Sequence, residues 1–215
     1  MLPQLDADEV RVLGALIEKE ATTPEYYPMS ANALVNACNQ KNNRSPVVSY
    51  DEEIVLEAIS RLREERMAAV ITGSGRVYKY AQRFSELFNL GRREMALLCV
   101  LFLRGPQTLG ELRDRSERIH SFEDLEAVEA TLDRLAAHDA GKMVMRLAKY
   151  PGQKEARYAH LFSGEPSEEA FPPAPEVRAA AGPNRIDALE SEVSALRAEV
   201  AELRQKLENF ERQFS

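Results

Sequence analysis

Three histidines and two cysteines are the side chains of this 215-residue chain that most readily ligate metals or attack electrophiles. His120, His138 and His160 share no ligand spacing with one another or with Cys38 and Cys99, so no metal site is expected. Both cysteines sit in apolar helical stretches, where a thiol packs as a small hydrophobe. The chain contains no G-x-x-x-x-G-K-[ST] phosphate loop, no H-E-x-x-H, no G-x-S-x-G and no C-x-x-C. Gly73-Ser74-Gly75 reads as a turn. Neighbouring carboxylates such as Glu52-Glu53 and Glu64-Glu65 diverge on a helix and suit solvent better than shared acid–base work. The expectation is a non-enzyme with no catalytic residue and no cofactor.

The remaining polar chemistry is contact chemistry. Asn39, Gln40, Lys41, Asn42 and Arg44 crowd one loop. Arg113, Arg115 and Arg118 occupy the matching place later in the chain, and Arg146, Lys149 and Lys154 lie on a β-rich stretch after that. Such residues donate to phosphates and base edges, or to acidic groups of a protein partner. These eleven are the candidate nucleic-acid or partner contacts.

The elements that must position them appear twice. Residues 30–84 carry Ser30 and Leu34, then the helical stripe Val55, Ile59, Leu62, then Tyr80-Ala81 and Phe84. Residues 108–162 carry Thr108 and Leu112, then Val128, Leu132, Leu135, then Tyr158-Ala159 and Phe162. The outer anchors are offset by 78 residues and the middle ones by 73. An amphipathic helix over 9–20, an Ser30-capped helix, and a helix opened by the box Ser49-x-x-Glu52 precede two β-rich runs around residues 72–75. The second copy repeats this with a helix over 93–103, the box Thr108-x-x-Glu111, its acidic analogue Ser121-x-x-Asp124, and a hairpin around residues 150–153. Three helices closed by a hairpin is the winged variant of helix-turn-helix. The fold class read here is mainly α with small β-hairpin wings: tandem winged helix-turn-helix domains followed by a C-terminal coiled-coil helix. The domains are 1–90, 91–163, a Pro/Ala/Glu-rich linker at 164–184 and the coiled coil at 185–215.

Composition sets the outer bounds. Apolar residues make up 44% and charged residues 29%, which is a globular balance, and two cysteines exclude a disulfide framework. Residues 95–103 form the longest apolar run, well short of the roughly 20 residues that span a bilayer. That run is apolar all round, which places its helix between the two copies. No basic-then-apolar leader opens the chain, so a cytoplasmic protein without membrane contact is expected. Net charge is −7, and the surplus acid lies in the first copy and the tail.

In the tail, apolar residues step alternately by three and four: Ile186, Leu189, Val193, Leu196, Val200, Leu203, Leu207 and Phe210. β-branched residues at a with Leu at d favour a parallel pair. Arg185–Glu190, Glu192–Arg197, Glu199–Arg204 and Lys206–Glu211 would be opposite-charge g–e′ pairs in that orientation. A homodimer through this coil is the expected assembly.

DNA and protein remain two classes of partner. A winged helix usually lays its third helix in the major groove. Here that helix carries Asp51, Glu52, Glu53, Glu57, Glu64 and Glu65 in the first copy, and Glu123, Asp124, Glu126, Glu129 and Asp133 in the second. Such acids repel phosphate. A DNA-associated or regulatory role therefore has to run through loop or wing, and the alternative is a dimeric protein adaptor that does not bind DNA.

Three stretches carry a resemblance. Tyr27-Pro28-Met29-Ser30-Ala31-Asn32-Ala33-Leu34, Ala37-Cys38-Asn39-Gln40-Lys41-Asn42-Asn43-Arg44-Ser45-Pro46-Val47 and Leu103-Arg104-Gly105-Pro106-Gln107-Thr108-Leu109-Gly110-Glu111-Leu112-Arg113 resemble the bacterial YceH family. The resemblance covers about 8–162 and implies a tandem pair of winged helices with no assigned activity. It marks the Cys-Asn-Gln-Lys stretch as a signature, with two readings: partner contact, or packing of the loop.

Overall fold

Both copies build three helices followed by an antiparallel strand pair. The computed structural model describes residues 2–71, 77–149 and 155–165. Lys154, both hairpin turns at 72–75 and 150–153, the linker and the heptad residues from Ile186 to Phe210 lie outside the described residues. The first copy has α1 (Ala7–Thr22), a 3-10 turn (Pro24–Tyr26), β1 (Met29–Ser30), α2 (Ala31–Cys38), α3 (Glu52–Glu64), β2 (Ala68–Ile71) and β3 (Lys79–Gln82). A short helix, α4 (Phe84–Leu87), leads to the second copy. That copy has α5 (Arg92–Arg104), α6 (Leu109–Ser116), α7 (Leu125–Ala136), β4 (Val144–Arg146) and β5 (Tyr158–His160). The protein is thus helical with small antiparallel sheets.

Side-chain caps start most of these helices. Asp6 accepts from the Asp8 and Glu9 amides, and Glu9 returns a carboxylate to the Asp6 amide at 2.8 Å. Ser30 caps α2, and Thr108 with Glu111 forms the expected box on α6. Two expected caps move. Asp51, not Ser49, caps α3 by accepting from the Ile54 amide at 2.9 Å. The cause is Asn39, whose side chain accepts from the Tyr50 amide and donates to the Tyr50 carbonyl, each at 2.7 Å. With its carbonyl engaged there, Tyr50 cannot be the first helical residue. Asp124, not Ser121, caps α7. Phe122 is buried against the core just before it, which keeps the approach extended. Asp51 and Asp124 are again 73 residues apart.

The sheets also repeat. β3 lies between β1 and β2, with Met29 opposite Tyr80 and Val70 opposite Tyr80 on the other side. In the second copy β4 pairs with β5, and Gln107 bridges Tyr158. Met29–Tyr80 and Gln107–Tyr158 are the same pair shifted by 78 residues. A strand residue ahead of the second helix joins the hairpin in each copy. The sequence pattern did not reveal this, because two residues or one give no alternation to read.

The copies do not keep separate cores. One cluster of buried side chains runs from Leu5 to Phe162. The step between 90 and 91 falls between α4 and α5, yet both halves bury their apolar faces together. Met95–Leu103 is buried on every side, the central position expected for an all-apolar helix. Phe84 and its equivalent Phe162 meet edge to face at 5.2 Å, with Phe88 and Phe102 completing the ring cluster. Each such pair contributes about 0.5–1.5 kcal/mol beyond area burial. α1 crosses α5 closely at Gly14, whose carbonyl accepts from the Cys99 thiol at 3.6 Å. A Cβ there would lie 2.8 Å from Leu103 Cδ2 and 3.1 Å from Phe102 Cβ. Among the described residues no helix is long and apolar enough to cross a membrane.

Two consequences are measurable. Gly14→Val should lower stability by about 1–3 kcal/mol through overpacking of the α1–α5 crossing. Gly110→Ala, on a helix with open space around the site, should be neutral or stabilising by up to about 1 kcal/mol. Urea unfolding of the two variants checks both. His160 gives a pH signature: its ring packs on Phe102 at 5.0 Å, Nδ1 is buried without a partner, and burial drives its pKa from 6.5 down to about 4. The unfolded chain therefore binds a proton first as pH falls. Stability should be intact above about pH 6.5 and fall by at most about 3 kcal/mol towards pH 4. His160→Phe should flatten that interval.

Candidate functional site

The candidate loop is built around an acid that the sequence reading passed over. α1 is buried continuously from Glu9 to Glu18, because α2 and α3 cover one side and α5 the other. Glu18 comes at the end of that stretch, and its side chain is only 4% exposed. A carboxylate there needs charged partners, since unpaired burial of a charge costs several kcal/mol. Arg44 supplies them: Nη2 lies 2.7 Å from Glu18 Oε2 and Nη1 lies 3.3 Å from Oε1. Arg118, from the second copy, donates to Oε1 at 3.1 Å, and Lys19 stands 3.6 Å from Oε2. Burial alone would raise the Glu18 carboxyl. The hydrogen bonds and charge of Arg44, with Lys19 and Arg118, outweigh it and hold the group below the ordinary 4.5.

Arg44 is therefore a correction among the sequence candidates: its side chain is fully buried and presents nothing to an outside partner. The rest of its guanidinium donates to the carbonyls of Ala37 and Asn43 and to Gln40 Oε1. Asn39 is occupied by Tyr50, as described above. Gln40 also accepts from Lys19 at 3.4 Å. Lys41 and Asn42 are exposed at the loop tip. Arg11, another buried cation, donates to the carbonyls of Cys38 and Pro46 and holds the loop from the α1 side. The Ser45 amide donates to the Leu103 carbonyl at 2.8 Å, and Arg104 donates to the Asn43 side chain. The Cys-Asn-Gln-Lys stretch thus packs the loop. Lys41 remains its exposed cation.

The second basic set divides. Arg113 is exposed beside Asp114. Arg115 pairs with Glu111 at 3.3 Å and donates to Gln107. Arg157 joins the same carboxylate at 2.7 Å. Arg118 reaches Glu18, the acid that Arg44 binds, so the two sets that the sequence shows 74 residues apart (118 against 44) converge at the junction of the copies. Arg146 and Lys149 are exposed on the second hairpin and are not part of this cluster. Arg61 and Arg134, third-helix cations 73 residues apart, each pair with acids at the start of the first helix of their copy, Arg61 partly buried and Arg134 exposed. Arg61 bonds Asp6 at 2.8 Å and lies 3.9 Å from Glu9, and Arg134 lies 3.1 Å from Glu94. The exposed charges of α3 and α7 are mostly acidic: Glu52, Glu53, Glu57 and Glu64 with Arg63 on α3, and Glu126, Glu129 and Asp133 with Arg134 on α7.

Thiolate chemistry is suppressed at both cysteines. Burial pushes the Cys38 thiol up to about 12 and Cys99 higher still, so neither forms a thiolate near neutrality. Among the described residues no group of three His, Cys, Asp or Glu side chains could hold a metal ion. Sequence could have flagged Glu18 and Arg11 as charges inside an otherwise apolar helical face. It could not have paired them, because that pairing depends on where the loop returns.

The profile of the family described as "Protein of unknown function, DUF480" matches residues 5–153. A "UPF0502 protein" of Solibacter usitatus (strain Ellin6076) is 60% identical, over 88% of this chain and 91% of that protein. One from Geotalea daltonii is 53% identical over 98% of both chains. The "UPF0502 protein YceH" of Salmonella paratyphi B is 47% identical, over 88% of this chain and 91% of that protein. The chain belongs to this family, in agreement with the resemblance carried by its loop residues.

Removing one member of the buried pair should be costly. Arg44→Met removes the one fully buried cation of Glu18, leaving it Arg118 and Lys19, and should lose up to about 3–5 kcal/mol in urea unfolding at pH 7. Glu18→Leu combined with Arg44→Met should recover part of that loss. The Glu18 carboxyl is depressed on folding, so its contribution is present above about pH 4.5 and lost as pH falls further. Glu18→Gln should remove this acid slope and leave the His160 interval above it unchanged.

Proposed function

We propose that this member of the DUF480 family is a non-enzymatic binding protein. Two winged helix-turn-helix modules in tandem engage a protein partner, and a parallel coiled coil holds two chains together. The observation that carries this reading is the outer surface of α3 and α7. In the winged-helix reading these would be the groove-reading helices, yet seven carboxylates and only two arginines, Arg63 and Arg134, stand exposed along them. Carboxylates at phosphate distance oppose binding, and phosphate contacts dominate affinity for DNA. Large apolar side chains stand in solvent instead: Tyr78 is 64% exposed and Val77 65% exposed on the first wing. Aromatic anchors of this kind concentrate binding energy in protein interfaces. The heptad from Ile186 to Phe210, with its opposite-charge g–e′ pairs, supports the homodimer.

A DNA-associated role is the second reading, and exposed Arg146 and Lys149 on the second wing favour it. Affinity capture with and without nuclease separates the two. The adaptor reading expects a partner that survives nuclease and is lost with Tyr78→Arg, and no salt-sensitive shift of duplex DNA. A nuclease-sensitive catch, or a shift abolished by Arg146→Gln, would replace it with the DNA reading. Truncation after Asn184 should halve the mass in light scattering; an unchanged mass would remove the coiled-coil dimer.

A further inference from the structure

The junction of the two copies holds more positive charge than it neutralises. Arg44, Arg118 and Lys19 share the single carboxylate of Glu18. Arg115 and Arg157 share Glu111. Arg104 has no carboxylate within ion-pair distance among the described residues. Three cations on one acid, two on another and one on none leave four uncompensated positive charges, in a chain of net charge −7. They are also contiguous. Asn43 takes Arg104 on its side chain and Arg44 on its carbonyl. Gln107 donates to the carbonyls of Arg104, Gly105 and Pro106, and accepts from Arg115.

We propose that this junction, presented by Arg104, Arg115 and Arg118, is a binding site for a phosphate-class oxyanion. Guanidinium forks match the oxygens of a phosphoryl group in pairs, and several around one anion bind far more strongly than a lone surface cation. Arg118 bonds Glu18 through Nη2 while its side chain stays 55% exposed, so the group retains donors for a ligand. Arg104 is half-buried and has the Asn43 side chain as a positioning partner. Its guanidinium is destabilised by burial and by Arg115, Arg118 and Arg44, which an arriving anion would relieve. Arg44 is fully buried and contributes charge from behind without touching the ligand. The ligand-facing arginines come from the second copy, while Arg44, Asn43 and Glu18 of the first copy back them. This proposal is independent of the protein-partner reading.

Thermal melting and calorimetric titration of the full-length protein with sodium pyrophosphate test it. The control is sodium chloride at equal ionic strength. The expected result is a saturable rise in melting temperature with pyrophosphate alone. Arg104→Gln and Arg118→Gln, which leave the Glu18–Arg44 pair in place, should each weaken binding about tenfold. Arg104→Lys should restore binding in part, because it keeps the charge without the fork. An equal response to chloride, or wild-type affinity in both variants, would overturn the site. A duplex DNA arm identifies the source of the phosphate. Pyrophosphate binding without DNA binding points to a free phosphorylated ligand. DNA binding lost in the same variants points to backbone phosphate, in which case the site stands and the adaptor reading falls.

Discussion

One buried carboxylate sets the terms for the described part of the molecule. Glu18 is carried into the interior by a helix whose neighbours cover it on both sides, and it cannot stay there without cations. Satisfying it draws the loop after α2 back across α1 through Arg44 and brings the start of the α6–α7 connection in through Arg118. Three segments remote in sequence are thereby fixed at one point. The loop is then secured by its own polar side chains: Asn39 on Tyr50, Arg11 on the carbonyls of Cys38 and Pro46, Arg104 on Asn43. Residues that look like a contact surface in one dimension are largely the means by which the loop is held.

The duplication acquires a physical meaning in the same place. Equivalent residues perform equivalent work: Leu34 and Leu112 are both fully buried, Asp51 and Asp124 both cap, Arg61 and Arg134 both bind the acid that opens the first helix of their copy. The copies nevertheless meet through unique contacts. Gly14 admits Leu103 and Phe102 at a distance that a Cβ would not allow without a shift of the neighbours, and Phe84 meets Phe162 edge to face. Small helical modules bury too little surface to be stable with ease. Sharing α1 and α5 at the centre gives both copies a larger common core.

Much of this was legible in the sequence. Helix positions, the Thr108 box, the Ser30 cap, the central apolar helix and the buried thiols follow from periodicity and capping chemistry, which act within a few residues. What was not legible depends on contacts across the chain. Asn39 moves the start of α3 from Ser49 to Asp51, and a buried Phe122 does the same for α7. The strand residues Met29, Ser30 and Gln107 become strand only because a hairpin arrives beside them. The candidate contacts divide on the same principle. Lys41 in its loop and Arg146 at the end of β4 are exposed, whereas Arg44 is buried because an acid 26 residues earlier requires it. Tyr78 and Val77, the exposed apolar pair on the first hairpin, belong to a short run whose exposed face no local pattern distinguishes from its buried one.

The central claim is that the loop and Glu18 bind the two copies into one cooperative unit. Hydrogen exchange followed by mass spectrometry along a urea series tests it most directly, reading peptides from α2–α3 and from α6–α7 separately. Both sets should lose protection in a single transition at the same denaturant concentration. Two resolved transitions, with either copy keeping its protection after the other has opened, would contradict it.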